Sequence, residues 1–187
     1  MRWLGAVVAV ILAAGCSSGP EHGPSTSPAF PSSTAVPPSA PLGSSPAAAP
    51  QGFRAVLIEV TKADGTKATY CVWLAATEPE RERGLMQVTG LGGADGMIFR
   101  FGADQSTAFW MKDTVIPLSI AFFQKGGAFV SATDMEPCSP SAPGCRTYPA
   151  DAPYSDAIEV PKGGLAALGI GPSSRLAVTS KSCAPSG

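Results

Sequence analysis

Residues 54–75 read RAVLIEVTKADGTKATYCVWLA, and this stretch decides the fold class. Arg54–Thr61 is apolar and β-branched with partial alternation. Ala63-Asp64-Gly65-Thr66 carries an Asp-Gly turn signal, and Ala68–Ala75 returns with the same strand-forming chemistry. Two such runs around Asp-Gly predict a β-hairpin. Next comes a capping box, with Thr77 as N-cap, Glu80 three residues on and Pro79 in the first turn. It predicts a short helix running to about Met86, weakened by Gly84. Gly90–Gly96 is a glycine-rich loop. Further strands are predicted at Gly96–Phe101, Thr107–Thr114, Leu118–Phe123, Ala128–Thr133, Ala157–Val160 and Arg175–Ser180, with Gly163–Gly171 a turn or one-turn helix. Hairpin spacing dominates and no βαβ rhythm is seen. The expected fold is therefore α+β, mostly β: a small, partly closed, antiparallel, barrel-like sheet with one or two short helices.

Upstream of the hairpin the composition changes twice. Arg2 followed by the apolar run Trp3–Ala14 reads as a secretory signal over residues 1–15, too short to span a bilayer as a helix. Ala13-Ala14-Gly15 before Cys16 resembles the lipobox of bacterial lipoproteins, with Leu12 one position earlier than usual. This predicts cleavage before Cys16, lipidation there, and an exported protein anchored on the extracytoplasmic face of a membrane. Residues 16–51 are nearly all Pro, Ser, Ala, Gly and Thr. Such a segment has little to bury against the entropy of ordering, and it predicts a disordered tether with a reach of roughly 30 Å as a coil to about 100 Å as polyproline II. Residues 52–187 remain, enough for one compact domain with its own core, and it is expected to be monomeric.

The cysteines bear on compartment. With Cys16 lipidated, four of the five remain, an even number in an exported domain, which suggests disulfides. Three pairings are possible. Cys138 and Cys145 flank a loop and can pair locally, which leaves Cys71 with Cys183. The spacing is not a metal-ligand pattern, and the lone histidine, His22, lies in the tether, so no metal or cofactor is expected. The same histidine count removes Ser-His-Asp and Cys-His catalysis from the domain. Gly90-Leu91-Gly92-Gly93 lacks the Lys-Ser/Thr of a phosphate-binding loop. A formal net charge of −1 gives no basic footprint for nucleic acid. Carboxylates at Asp95, Asp113, Glu136 and Glu159 leave a carboxylate-dependent enzyme acting on cell-surface polymers as one alternative, and a purely structural envelope protein as another.

Three segments concentrate methionine, aromatic and charged residues: Arg81–Met86, Gly96–Phe99 and Phe109–Thr114. Composition alone favours core packing with solvated charges. The sharper reading is a small-ligand pocket bordered by Arg83, Met86, Met97, Trp110, Met111, Lys112, Asp113 and Glu159, taking a small polar or anionic ligand or an envelope component through Lys112 or Arg83. Strand parity would put Trp110, Lys112 and Thr114 on one face together with Ile116, Leu118, Ile120 and Phe122. On that basis Lys112 is expected to be more than half buried, paired with Glu159 or with Asp95, and Trp110 to flank a cavity.

These segments resemble the domain of unknown function 192 family. They stand here as Arg83-Gly84-Leu85-Met86, Gly96-Met97-Ile98-Phe99 and Phe109–Phe122 (FWMKDTVIPLSIAF), with Pro137-Cys138 and Ile158-Glu159-Val160 later. The resemblance covers about residues 55–183 and implies a compact β-rich fold, often exported, with no established activity. Asp113 replaces the family's usual Asn and Ser119 its usual Asp.

Overall fold

The computed structural model describes residues 49–139 and 141–186. The expected signal segment, Cys16 and the tether up to residue 48 lie outside these. The described residues fall in one compact unit. Within it Pro50 is buried, and the Gln51 carbonyl accepts a hydrogen bond from Arg83 Nη2 at 2.9 Å. The last residues of the expected tether thus lie against the domain.

The hairpin forms as expected. Strand β1 (Arg54–Thr61) pairs antiparallel with β2 (Lys67–Ala75), Leu57 opposite Cys71. The Asp64 carboxylate closes the turn by accepting from Thr66 N–H at 2.8 Å and Thr66 Oγ1–H at 2.6 Å. The capping box is also present. Thr77 Oγ1 accepts from Glu80 N–H, and the Glu80 carboxylate accepts from the Thr77 and Ala76 N–H groups. Helix α1 (Glu78–Arg83) ends at Gly84, which has φ of 44°. A side chain there would meet the Phe99 ring at 3.1 Å, so glycine both stops the helix and lets its end lie on Phe99.

Strand β3 (Gly96–Gln105) then enters the sheet parallel to β2, Trp73 opposite Met97. This corrects the all-antiparallel expectation. Helix α1 and the glycine loop carry the chain back to the starting end of β2, as a parallel neighbour requires. The other pairings are antiparallel, among β5 (Leu118–Phe123), β6 (Phe129–Met135), β8 (Tyr154–Pro161) and β9 (Arg175–Ser182). The seven-stranded mixed sheet has the order β6-β5-β8-β3-β2-β1-β9. Two-residue strands β4 (Phe109–Trp110) and β7 (Thr147–Tyr148) form a second small sheet. Nor does the large sheet close into a barrel. Its edges meet at one bridge, Ala128 to Arg175, where Leu176 N–H donates to the Gly127 carbonyl at 2.9 Å, and no ladder continues from it. Residues 163–171 form turns, so α1 is the one helix among the described residues, and none there is long and apolar enough to cross a membrane.

The sheet is covered on both faces. Val56, Ile58, Val60, Ile98, Ala121, Phe123 and Ile158 pack with Leu168 and Ile170 from the 163–171 turns. On the other face Met97, Phe99, Ile120, Phe122, Tyr154 and Ala157 pack beneath Leu85, Val88, Leu91, Met111 and Tyr148. All six residues of β5 are consequently buried. The two disulfides join Cys71 to Cys183 and Cys138 to Cys145, with Cα separations of 5.9 and 5.4 Å.

The Trp-Met-Lys segment is where strand parity fails. Pairing stops after Trp110, and residues 111–114 turn, with Thr114 N–H donating to the Met111 carbonyl and Asp113 at φ of 54°. That left-handed conformation suits Asp or Asn, which accounts for both the residue here and the family's usual one. The alternation holds as far as Lys112, with Phe109 and Met111 toward the core and Trp110 and Lys112 outward together. The turn then breaks its relation to Thr114, Leu118, Ile120 and Phe122, so the Trp110 face is not the core face. Ser119, at the other departure from the family pattern, is buried. Its hydroxyl donates to Asp134 Oδ1 at 2.5 Å and accepts from Gly163 N–H at 2.8 Å, tying β5 to β6 and to the turn after β8.

Candidate functional site

The segments singled out in the sequence do converge. Gln87 N–H donates to the Asp113 carbonyl at 2.7 Å, fastening the turn after α1 to the turn after Trp110. Beneath them lies an aromatic cluster: Phe99 and Phe109 at 5.0 Å edge to face, Phe109 and Phe122 at 5.7 Å, Phe122 and Tyr154 at 4.8 Å, and Phe101 and Tyr154 at 5.5 Å. Such contacts fix ring orientation as well as burying area. Tyr154 is fully buried and donates its hydroxyl to the Thr107 carbonyl at 2.6 Å. Burial pushes its phenol up to about 12, so it remains a donor at neutral pH.

Between this cluster and α1 lies a cleft of about 340 Å³. Its walls are Phe99, Phe101, Phe109, Trp110 and Tyr154, and its polar margin is Glu78, Arg81 and Glu82 from α1. Trp110 stands at the lip, 51 % exposed. Among the described residues only it and Val115 are large apolar side chains left so exposed. Arg81 stacks over Phe101, its carbon centre 5.0 Å from the ring, and donates to the carbonyls of Ala76 and Arg100. It therefore braces one wall.

A smaller recess of about 40 Å³ shares Arg81, Glu82, Phe99, Phe109 and Trp110 with the cleft and adds Arg83, Met86, Thr114 and Glu159. Glu159 sits in the middle of the sheet, opposite Met97 on β3 and Ile120 on β5, and is 4 % exposed. No hydrogen bond or ion pair reaches its carboxyl among the described residues. Desolvation alone pushes its pKa from the ordinary 4.5 up to about 8, so it is largely protonated at neutral pH.

The expected partnership of Lys112 with Glu159 is not formed. Lys112 is exposed, with Nζ 5.4 Å from the Trp110 ring centre on the solvent side. The turn at 111–114 that inverts the parity is the reason. Asp95 is engaged elsewhere, accepting from Cys71 N–H at 2.8 Å. The expected cavity beside Trp110 is present. Of the other candidate residues, Arg83 and Met86 border the recess, and Arg83 spends its guanidinium on the Gln51 carbonyl and on the Phe53 ring at 4.3 Å. Met97 and Met111 are buried and line neither the cleft nor the recess. Asp113 borders a separate hollow with Val115 and Pro137. The sequence reading missed Glu78, Glu82, Phe101, Thr114 and Tyr154. The helix pair at 78 and 82 was open to helical spacing, whereas nothing local marks Tyr154, which arrives through the sheet pairing. No metal-holding group of three or more His, Cys, Asp or Glu occurs among the described residues.

The family model DUF192, an uncharacterised conserved family, matches residues 59–178. A protein of unknown function from Novosphingobium aromaticivorans DSM 12444 is 31 % identical, with a TM-score of 0.60 over 72 % of this chain and 94 % of that one. A chain from Sinorhizobium meliloti 1021, described as a candidate transcription regulator, is 26 % identical, with a TM-score of 0.56 over 67 % of this chain and 95 % of that one. No curated protein matches.

Proposed function

The chain belongs to the DUF192 family, and from that premise we propose that this member is an extracytoplasmic, lipid-anchored module that binds a small ring-bearing ligand in the Trp110 cleft. The observation that carries the reading is Trp110 itself, a large apolar side chain left exposed at the lip of an aromatic-walled cleft. The cleft's volume is at the low end of small-molecule sites, and apolar walls with a few polar groups at the margin are the usual make-up of such sites. Glu78 and Glu82 on α1 supply acceptors for ligand hydroxyl or amino groups. The regulator description of the Sinorhizobium chain is not carried over, since a net charge of −1 offers DNA phosphates little attraction.

The test is a thermal-shift screen of the full chain with simple aryl and pyranosyl compounds. Trp110→Ala is expected to weaken any compound that binds by about tenfold, the scale of one lost aromatic stack with its buried area, with little change in Tm. Compounds that bind Trp110→Ala as well as wild type would refute the cleft as their site.

Export and anchoring rest on different residues. Two disulfides are consistent with an extracytoplasmic location. Cys16, behind the apolar run and ahead of the tether, is the proposed lipid attachment point. Cys16→Ser is expected to move the protein from the membrane fraction to the soluble fraction, because no other strong anchor is read in the sequence. Retention of Cys16→Ser in washed membranes would overturn the anchor.

A further inference from the structure

We propose that Glu159 is the recognition residue for a primary ammonium group on a slim alkyl stem, the leading end of a ligand whose ring lies in the Trp110 cleft. The inference rests on the reading of that cleft as a ligand site and names the ligand's chemistry. A carboxyl in the middle of a packed sheet, 4 % exposed and unpartnered, is costly to keep unless something completes it. The fold does not do so. The cations of the recess are committed elsewhere, Arg81 to the Ala76 and Arg100 carbonyls and Arg83 to the Gln51 carbonyl. Lys112 lies outside, over Trp110. Strands β3 and β5 present only Met97 and Ile120 beside Glu159, and the 111–114 turn contributes Thr114 to the recess. The remaining charge in its lining is Glu82.

The missing partner is one that completes this carboxyl. A ligand carboxylate or phosphate would sit beside Glu82 with both guanidiniums of the recess already spent on backbone carbonyls. An ammonium brings three donors and a positive charge, and the recess is bordered by the aromatic residues Phe99, Phe109 and Trp110. Size narrows the choice further. A recess of about 40 Å³ admits a group of a few heavy atoms, given that one water needs roughly 10–15 Å³, and so takes an ammonium with a methylene but no ring. Because Glu159 is mostly protonated before binding, it must release its proton to form the ion pair.

The test uses 2-phenylethylamine and its neutral isostere 2-phenylethanol on the full chain at pH 7, by titration calorimetry in two buffers of different ionisation enthalpy. The amine is expected to bind at least tenfold more tightly than the alcohol and to release about one proton per molecule bound. Glu159→Gln is expected to abolish both the preference and the proton release. The infrared carbonyl stretch of the protonated Glu159, lost when the amine binds, reads the same event in the wild-type chain without any substitution. Equal binding of amine and alcohol, or amine binding with no proton released, overturns the proposal; if that binding is still weakened by Trp110→Ala, the cleft reading stands. Binding of neither compound overturns both.

Discussion

Stability should fall as pH rises from about 5 to about 8, the reverse of the trend carried by carboxylates held in ion pairs. The cause is Glu159, whose pKa is pushed from 4.5 up to about 8 by desolvation. The folded state holds this proton where the unfolded chain has released it. The stabilisation is therefore complete below about 4.5, declines as pH climbs through the interval, and is gone above about 8. The slope from one such group approaches 1.4 kcal/mol per pH unit, for a total on the order of 3–5 kcal/mol. Asp156 adds to the same trend, raised by burial against the opposing effects of Ser155 and Arg100. Glu80 works the other way. Its carboxylate is lowered by the Thr77 and Ala76 N–H groups of the capping box, so its contribution is lost as pH falls through the acid range. Together they place the stability maximum on the acidic side of neutrality. Urea unfolding at pH 5, 7 and 9 measures this directly. Glu159→Gln should flatten most of the slope and exceed wild type in stability at pH 9, because a neutral amide of the same shape carries no ionisation cost. A wild-type profile flat across the interval would mean that Glu159 is ionised and solvated, and the recess would lose its distinguishing feature.

The fold was legible wherever local chemistry is sufficient. The Asp64-Gly65 turn, the Thr77–Glu80 capping box and the apolar run Leu118–Phe123 each specify their element from a few adjacent residues, and each element starts where it was expected, although α1 stops at Arg83 rather than near Met86 because Gly84 ends it. Both cysteine pairs followed from parity of number and one short loop. What failed depends on non-local geometry. The parallel β2–β3 pairing is set by how the α1 connection crosses the sheet, which no periodicity in 76–95 encodes. The inverted faces of Trp110 and Met111 trace to one residue, Asp113 in the left-handed region, which ends the strand before the parity rule can extend to Ile120. The site was half legible for the same reason. The motif residues do gather, but Glu159, expected to pair with Lys112, stands unpaired on β8, a strand whose visible signal was the three apolar residues around it.

Replacing both Cys71 and Cys183 by serine is expected to cost about 3–5 kcal/mol, against roughly 2 for the Cys138–Cys145 pair. The pairs close loops of 112 and 7 residues, and the chain-entropy model gives about 4.8 and 2.4 kcal/mol as upper values. Position strengthens the asymmetry. In the sheet order β1 lies between β2 and β9, so the Cys71–Cys183 bond fastens the C-terminal strand to one it does not pair with. Strand β9 is an edge strand, and its register against β1 shifts between Val56 and Ile58, just before the bridge. Its outer half is mostly exposed, with little buried apolar area to hold it. Reduction should therefore release β9 first. Amide exchange at Thr179–Ser182 should accelerate well before exchange in β5 or β8, while the core strands keep their protection. The Cys138–Cys145 bond closes a surface loop joined to the core through Cys138 N–H and the Met111 carbonyl at 3.3 Å, and its loss should be felt mainly around Met111. Urea unfolding of the two double-serine variants ranks the bonds. If the Cys71–Cys183 variant lies within about 1 kcal/mol of wild type, the reduced chain already keeps β9 docked, and the edge is held by its β1 pairing instead.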